Sequence, residues 1–575
     1  MSATLPWWEQ FPGRLEYEKS QLESLGVRVV EDAQAGVEGL IRWKLTVPAE
    51  ITGREEMYLV ASFPDAYPYV RPEVQAPDLE MGHHQHPFGR NLCLIGRSSD
   101  AWNTSDTLEW LIRVQLSTAL AFGEATHGGE GEEDQGEPFS DYYTYQRNAV
   151  VLVDSDWHLA HHLTDGWAEV LISGPVPVID NHLTVVVAEL KNSHGEVLAS
   201  LPDEILNLYV GAARALVRWN TLGGPVRVDS AAAIWQAATD ADVDAAAAHP
   251  TGSRTDIRLV GFPEEHSRTQ TGLGWVLVTK QQGKPGRQRN SGNPAVRAAA
   301  QQSATTHQLI RAGRAGNQDM RSRNPAMAPL AKKRVLIIGL GALGSRIAEH
   351  LARAGVGSFM LIDKDVLEPG NLERHACTMQ HVGASKSEAV AHLLRQAAPY
   401  TEVVAWQLPV GRVETSALAD QIAASDLVID ATAEVGIARL TAHLAREHDT
   451  PWVMAAGTNG AWGGTVVRID SGSTWCFSCF EWHRADDIAS GGSSLAPIAD
   501  VAPPNQPVGC AEPTFTGTGF DLDEVGMQAV RSAVGVLLQR PTIDVATLAI
   551  HGFDEPDLPR WSPHRMQPHA ECAHQ

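Results

Sequence analysis

The sequence predicts a multidomain protein of the α/β and α+β classes: an N-terminal α+β domain, a mixed α/β middle domain and a C-terminal doubly wound α/β domain. Three observations carry this. The chain of 575 residues is too long for one hydrophobic core. Residues 1–126 read as helix, strands, irregular loop and helix. From Lys332 the pattern becomes strand, Gly-rich loop, helix, strand, the alternation of a parallel sheet covered by helices.

The elements follow in order. An amphipathic stretch with Leu15, Tyr17, Leu22 and Leu25 opens the chain. Strand-like runs come next at Val27–Val30, Leu40–Val47, Met57–Phe63 and Val70–Val74, and Leu108, Leu111, Ile112 and Leu116 recur at helical spacing. Gly128–Pro138 has almost no apolar content and reads as a loop. In residues 141–280, Trp167–Ile172, Leu183–Leu190, Leu259–Phe262 and Gly274–Thr279 read as strands, while Leu208–Trp219 and Ala231–Ala248 read as helices. This middle domain carries no catalytic motif and reads as a spacer. Residues 281–330 are basic, with Lys284, Arg287, Arg289, Arg297, Arg311, Arg314, Arg321 and Arg323 against the single acid Asp319, as in a flexible linker. Gln308–Arg314 within it has the makings of a helix. The last domain, residues 331–575, runs Val335–Ile338, Leu343–Ala354, Phe359–Ile362, Leu427–Ile429, Trp452–Met454 and the helix Asp523–Leu538.

Composition excludes several roles. A formal net charge of -24 argues against broad binding to nucleic acid or anionic membranes. No apolar run is long enough to span a bilayer, and the first residues show no basic region followed by an apolar stretch; the expected location is the cytoplasm. Six cysteines are too few for a disulfide framework, so each is a nucleophile, a metal ligand or core filler.

Gly339-Leu340-Gly341-Ala342-Leu343-Gly344 follows a strand and opens a helix, so backbone N–H groups can approach a phosphate. Asp363 ends the next strand, where a ribose hydroxyl can be held in either a dinucleotide or a mononucleotide site. Asp365, Asn371, Arg374 and Lys386 then discriminate. Cations so soon after the ribose acid suit a triphosphate, whose β- and γ-phosphates need partners as pyrophosphate leaves. Asp430, ending a later strand, is placed for Mg²⁺. The expected ligand is ATP with Mg²⁺.

With these residues, the C-terminal region resembles the Rossmann-like, ThiF-type adenylating domain of ubiquitin-activating enzymes and of their bacterial relatives that activate sulfur carriers. The resemblance implies that Asp363 holds the ribose, Asn371, Arg374 and Lys386 the phosphates, and Asp430 the metal. Ala433 and Glu434 stand where the family has an acid and an amide. It also implies a homodimer and an arginine lent by the partner subunit, for which Arg311 and Arg314 are candidates. Cys510, in Gly509-Cys510-Ala511-Glu512, is by this resemblance the thiol that attacks the acyl adenylate. Cys476-Phe477-Ser478-Cys479 is half of a zinc site, which relatives complete near the C-terminus; here Cys572 is available, with His569 or His574.

The first 126 residues resemble a ubiquitin-conjugating enzyme, through Pro64, Tyr67-Pro68, Pro72, His86-Pro87, Cys93-Leu94 and Trp102. Cys93 is then a thioester carrier. Phe88 stands where that family has an Asn after His-Pro, and Asn91 and Asn103 are candidates to replace it. His83, His84 and His86 read as a structural cap rather than a metal site. The order of the domains resembles the fused activating–conjugating enzymes of bacterial CBASS antiphage operons. That resemblance implies a partner protein, a cGAS-like nucleotidyltransferase (CD-NTase), adenylated at its C-terminus, carried on Cys510 and then Cys93, and ligated to a lysine. Alternatives are the same relay on a bacterial ubiquitin-like protein, and a sulfur-carrier adenylyltransferase whose N-terminal domain only binds. A nicotinamide oxidoreductase would leave Arg374 and Lys386 without purpose.

Overall fold

Alternation of buried and exposed residues builds the first sheet, an antiparallel meander of β1 (Arg28–Glu31), β2 (Ile41–Val47), β3 (Met57–Phe63) and β4 (Glu73–Gln75). This computed structural model describes residues 5–37, 39–53, 55–95, 102–124, 136–160, 163–173, 182–242, 255–267, 270–282, 305–412, 415–497, 499, 515–541, 543–550 and 558–573. They divide into two units, residues 1–201 with 211–316, and residues 202–210 with 317–575.

In the meander, Trp43 faces Ala61 and Leu45 faces Leu59 across β2 and β3, all buried on one side. Helix Pro12–Ser24 and the helical run from Leu108 to Glu124 cover that side with Leu22, Leu108, Ile112 and Leu116. One buried acid pins these pieces together. Glu18 accepts the Leu108 N–H at 2.8 Å, pairs with Arg14 at 2.8 Å and accepts the Tyr67 hydroxyl. Burial pushes its pKa up, and the hydrogen bonds from Tyr67 and Leu108 oppose that.

The second sheet closes on itself. Its strands are β5 (Ala149–Val153), β6 (Asp165–Ser173), β7 (Leu183–Lys191), β8 (Val197–Ser200), β9 (Ala213–Thr221), β10 (Thr255–Ser267), β11 (Gln270–Gln282) and β12 (Thr305–Arg314). Because β5 pairs in parallel with both β12 and β7, seven strands form a ring and β8 extends β7. Two helical expectations are corrected here. Leu208–Trp219 is a 3₁₀ turn at Asn207–Tyr209 followed by β9, which pairs with β6 and β10 and buries Val217 and Trp219. Gln308–Arg314, expected as a helix in a flexible linker, is part of β12 and bonds on both sides, to β11 and β5. In both segments ladder pairing overrides local propensity. Helix Ala231–Asp240 packs Ile234, Trp235 and Ala238 against the ring.

Inside that unit Arg218 and Arg258 are 4% and 2% exposed. They share Asp242, Arg258 at 2.7 Å and Arg218 at 3.3 Å, and Arg218 also pairs with Asp165 at 2.7 Å.

The third sheet has the order β15-β14-β13-β16-β17-β18-β19-β20. Its strands are β13 (Arg334–Ile338), β14 (Ser358–Asp363), β15 (Glu402–Gln407), β16 (Leu427–Asp430), β17 (Trp452–Gly457), β18 (Gly463–Ile469), β19 (Val545–Ala549) and β20 (Arg560–His564). The first five are parallel and the last three antiparallel. Leu336 and Ile338 face one buried cluster, Val335 and Ile337 the other, because helices cover both faces. The chain runs outward from β13 in both directions, which opens a crevice at the carboxyl ends of β13 and its neighbours.

Replacing Asp242 by Ala takes the paired acid from the buried Arg258 and leaves Arg218 only Asp165. The expected cost is about 3–5 kcal/mol of stability in this unit, read as a lowered urea midpoint.

Candidate functional site

Only three residues separate the last residue of β13 from the helix Ala342–Arg353. Gly339 has φ +84°, and a Cβ there would stand 2.7 Å from the Thr432 amide nitrogen. A Cβ on Gly344 would stand 1.9 Å from the Gly339 carbonyl oxygen. Neither position admits a side chain. At Gly341 nothing lies within 4 Å of the Cβ position, so the loop is open on the side where the helix presents its first N–H groups.

Asp363 ties this loop to β14. Its Oδ2 accepts the Leu340 N–H at 2.6 Å and its Oδ1 accepts the Asp365 N–H at 2.8 Å. Burial pushes its pKa up, against those two donors and the Lys386 charge. The Lys386 ammonium lies 2.9 Å from Asp365 Oδ2. Gly339, Gly341, Gly344, Asp363, Asp365 and Lys386 are thus brought together. Asn371 caps the turn after them, its Oδ1 accepting the Glu368 N–H at 3.0 Å. Arg374 donates its N–H to the Asn371 carbonyl at 3.1 Å, and its guanidinium stands 5.7 Å from the centre of the Phe515 ring.

Asp430 ends β16 as expected, at the position where the resemblance implies a metal ligand. It is 1% exposed. Oδ1 accepts the Thr432 N–H at 3.0 Å and the Thr432 hydroxyl at 2.7 Å, and Oδ2 accepts the Thr441 hydroxyl at 2.9 Å. Burial pushes its pKa up, with the Thr432 bonds opposing. A carboxylate so enclosed shapes the Thr432 turn against Gly339 and does not fit a cation ligand. The exposed acid of this turn is Glu434, 3.1 Å from Lys364.

His375 escaped the sequence reading. Its Nε2–H donates to the Leu340 carbonyl at 2.8 Å and its Nδ1 accepts the Cys377 N–H at 3.1 Å. It holds the glycine loop from the side opposite Asp363. Its position beside Arg374 was the only signal, and a lone histidine carries little information. Burial pushes its pKa down to about 4, although the Leu340 carbonyl opposes this.

Cys93 is half-buried at the edge of the first domain. Its N–H donates to the His84 carbonyl at 2.8 Å, and its Sγ lies 3.6 Å from the Ile95 carbonyl oxygen. The loop before it is gripped by the ring-shaped sheet and the segment leading into it. The His84 N–H donates to Glu137 at 3.0 Å, His83 Nε2 lies 2.8 Å from Glu265, and the Tyr142 hydroxyl donates to Glu137 at 2.9 Å. The Phe88 ring lies 5.6 Å from both Phe139 and Tyr143. The residue standing where an Asn was expected is therefore a packing residue. Asn91 is engaged with Gln75 at 2.9 Å and Glu73 at 3.1 Å, and Asn103 heads a turn capped by Asp106. Cys510 lies outside the described residues. Arg311 and Arg314 stand on β12, where Arg311 pairs with Asp141 at 2.8 Å and Arg314 with Glu264 at 3.6 Å.

The sulfurs of Cys476, Cys479 and Cys572 all lie within 4.8 Å of one another and are buried. Burial pushes Cys476 up to about 11. Burial also acts on Cys479, but the backbone N–H groups of His569 and Cys476 and the neighbouring thiols outweigh it and hold its pKa below the usual value. Three convergent sulfurs with N–H donors fit a thiophilic cation. His569 does not complete the set, since its Nε2 faces Asp486 at 3.0 Å and its Nδ1 accepts the Glu571 N–H at 3.1 Å. His574 lies outside the described residues.

Residues 316–573 match the ThiF family and residues 33–152 match prokaryotic E2 family B. The chain is an adenylating, conjugating enzyme, with an E1-like (activating) domain fused behind an E2-like (conjugating) domain. Over 609 residues it is 27% identical to the uncharacterized protein y4oA of Sinorhizobium fredii, spanning 99% of this chain and 97% of the relative. It is 30% identical over 206 residues to the ATP-dependent ubiquitin transferase-like protein Cap2 of Vibrio cholerae, 34% of each chain. It is 32% identical over 151 residues to the sulfur carrier protein ThiS adenylyltransferase of Escherichia coli, 26% of this chain and 59% of that one.

The histidine that braces the loop carries a pH prediction. With a folded pKa near 4 and an unfolded value of 6.5, His375 contributes stability above pH 6.5 that is lost as pH falls toward 4, about 3 kcal/mol in all. Urea titrations of wild type and His375→Gln are expected to differ in slope with pH across that window, the wild type falling more steeply.

Proposed function

We propose that the enzyme uses ATP to adenylate the C-terminal carboxylate of a partner protein, carries the acyl group first on Cys510 and then on Cys93, and delivers it to a lysine amine. The observation that supports this best is a glycine loop framed by Asp363, Asp365 and Lys386 on the same chain as a half-buried thiol in an E2-like loop. The carboxylate oxygen attacks the α-phosphorus and pyrophosphate leaves. In this reading Asp363 holds the ribose, and Asn371, Arg374 and Lys386 hold the departing phosphates. Breaking the Lys386–Asp365 pair frees an ammonium for that work. Mg²⁺ supplies further charge neutralisation when it accompanies the nucleotide, but no step is assigned to it through Asp430.

The Cys510 thiolate then displaces AMP, and the Cys93 thiolate takes the acyl group by transthiolation. A target amine finally displaces Cys93 and leaves an isopeptide bond. The Cap2 relatives support ubiquitin-like conjugation in an antiphage setting; a CD-NTase as the activated protein follows only from the resemblance of the domain order to the CBASS enzymes. The working division is a conjugating domain at 1–126, a middle domain at 141–280, a basic segment at 281–330 whose β12 belongs to the ring of the middle domain, and an adenylating domain at 331–575, in a cytoplasmic homodimer.

In full-length protein incubated with ATP, Mg²⁺ and the protein encoded beside it, thiol-cleavable adducts are expected on non-reducing gels. Cys510→Ala is expected to remove both adducts and Cys93→Ala only the second, while Lys386→Ala lowers ATP–pyrophosphate exchange by about 10²-fold. Persistence of lysine-linked product in Cys93→Ala would return the N-terminal domain to a mere binding module.

We further propose that the three cysteines hold a structural zinc. Metal analysis of the purified chain is expected to find about one zinc per chain, and Cys476→Ser is expected to lose it. Wild-type protein free of zinc as purified, and unable to take it up, would return the three to buried thiols.

A further inference from the structure

Several cations of the adenylating unit face a carboxylate: Lys386, Arg353 and Arg439 do so at 2.9, 3.0 and 2.7 Å. Arg374 does not. Among the described residues no hydrogen bond or ion pair reaches its guanidinium, and the described partner of that group is the Phe515 ring, whose centre lies 5.7 Å from Cζ. The difference matters for a group that has to meet phosphate. A carboxylate takes up the N–H donors of an arginine and has to be displaced before another anion can bind. The face of an aromatic ring attracts the charge but accepts no hydrogen bond of that strength, so the donors of the guanidinium remain available to an anion.

Phe515 is firmly seated. It packs against the core of the unit, and a Cβ on Gly517 would stand 2.4 Å from its Cε1. At Gly457, the carboxyl end of β17, a Cβ would stand 3.8 Å from its Cζ. The turn that carries Arg374 meets the same segment. A Cβ on Gly519 would stand 2.9 Å from the Glu373 carbonyl oxygen and 3.3 Å from the Arg374 Cα. Gly517 and Gly519 thus let ring and turn approach one another. Arg374 comes after β14 and Phe515 lies at the end of β17, and in sheet order β13 and β16 stand between those two strands. The contact therefore belongs to the carboxyl edge of the sheet, where the glycine loop and Asp363 also stand.

We propose that Phe515 is the positioning residue of Arg374: the ring holds the guanidinium at the crevice while leaving its N–H groups for the β- and γ-phosphates of ATP. The assignment rests on the reading of Arg374 as a phosphate ligand. In the first half-reaction the carboxylate oxygen of the partner protein bonds to the α-phosphorus. The bond from that phosphorus to the bridging oxygen breaks, and pyrophosphate leaves with the electron pair. No proton is transferred in this step. Arg374 donates hydrogen bonds to the departing oxygens, and Phe515 touches neither substrate. The ring acts through the arginine alone, so its effect on ATP has to vanish when the arginine is gone.

The test is ATP binding to the full chain with Mg²⁺ and without a partner protein, read by isothermal titration calorimetry as a double-mutant cycle. Arg374→Met is expected to weaken ATP binding at least about 10-fold. Phe515→Leu keeps apolar packing and removes the ring, and is expected to weaken binding about 3- to 10-fold. Phe515→Met is the second ringless variant and is expected to follow Leu. In the Arg374→Met background, Phe515→Leu is expected to change affinity by less than about 1.5-fold, a result that a merely structural ring would not give. Phe515→Tyr keeps the ring and is expected to stay within about 2-fold of wild type. Ringless variants that match wild type, or that weaken binding as much without the arginine as with it, overturn the assignment and leave the ATP site standing. So does an Arg374→Met protein that binds ATP as tightly as wild type, since Phe515 would then position nothing. Wild type that binds no ATP overturns the nucleotide reading and takes both residues' roles with it.

Discussion

The adenylating unit depends on one contact too short for a side chain, the approach of Gly344 to the Gly339 carbonyl oxygen. It sets the helix Ala342–Arg353 directly behind β13, so that helix dipole, loop amides and strand end point into one crevice. Everything around it serves to keep that approach. Asp363 pulls on the Leu340 N–H and His375 on the Leu340 carbonyl, so the two peptide groups flanking one residue are held by buried groups. Thr432, fastened by Asp430, closes the far side of Gly339. Asp430 therefore matters through the shape of the turn, which explains why a carboxylate with no exposed face persists at a strand end.

This unit was largely legible in the sequence because its logic is local. A run such as Val335–Ile338 followed by three glycines can be read within a dozen residues, and Asp363 falls at the end of the next run. What was not legible was anything decided by a distant partner. The Asp430 carboxylate looks like a ligand until Thr441, eleven residues on, is found donating to it. Cys476 and Cys479 are announced by their spacing, and Cys572, named from the resemblance as available near the C-terminus, is brought to them by the fold. The ring-shaped sheet was the least legible part. Arg311 lies beside Val150 and Arg258 beside Arg218, pairings of high sequence separation that leave no local trace. Gln308–Arg314 and Leu208–Trp219 have ambiguous periodicity when read alone, and ladder bonds on two sides decided them.

The same ring changes the meaning of the first domain. Phe88, read from sequence as the loss of an oxyanion group, is an aromatic anchor set among Phe139 and Tyr143. Glu137 and Glu265 hold the backbone and ring of the two histidines that precede it. Aromatic packing supplies apolar area that the short meander lacks, and the acids give the loop one orientation. The His84 carbonyl, so fixed, accepts the Cys93 N–H. The geometry at the sulfur is thus inherited from residues more than forty positions away, which no spacing rule in the first domain could reveal.

On the proposed relay the two thioesters are bonds of one kind, so transfer between them is close to neutral in free energy and neither cysteine pulls the acyl group by itself. Direction has to come from the irreversible ends: pyrophosphate and AMP release at the start, isopeptide formation at the finish. Between them the carrier must avoid water for as long as it waits for an amine. A half-buried sulfur, flanked in the chain by the buried Leu92 and Leu94 and preceded by a loop that acids and aromatic rings hold in place, meets that need better than a fully exposed one. Carrying both thiols on one chain raises their effective concentration without tightening either site. The rigid loop at Cys93 and the tethered architecture then address different halves of the problem, survival of the intermediate and its delivery.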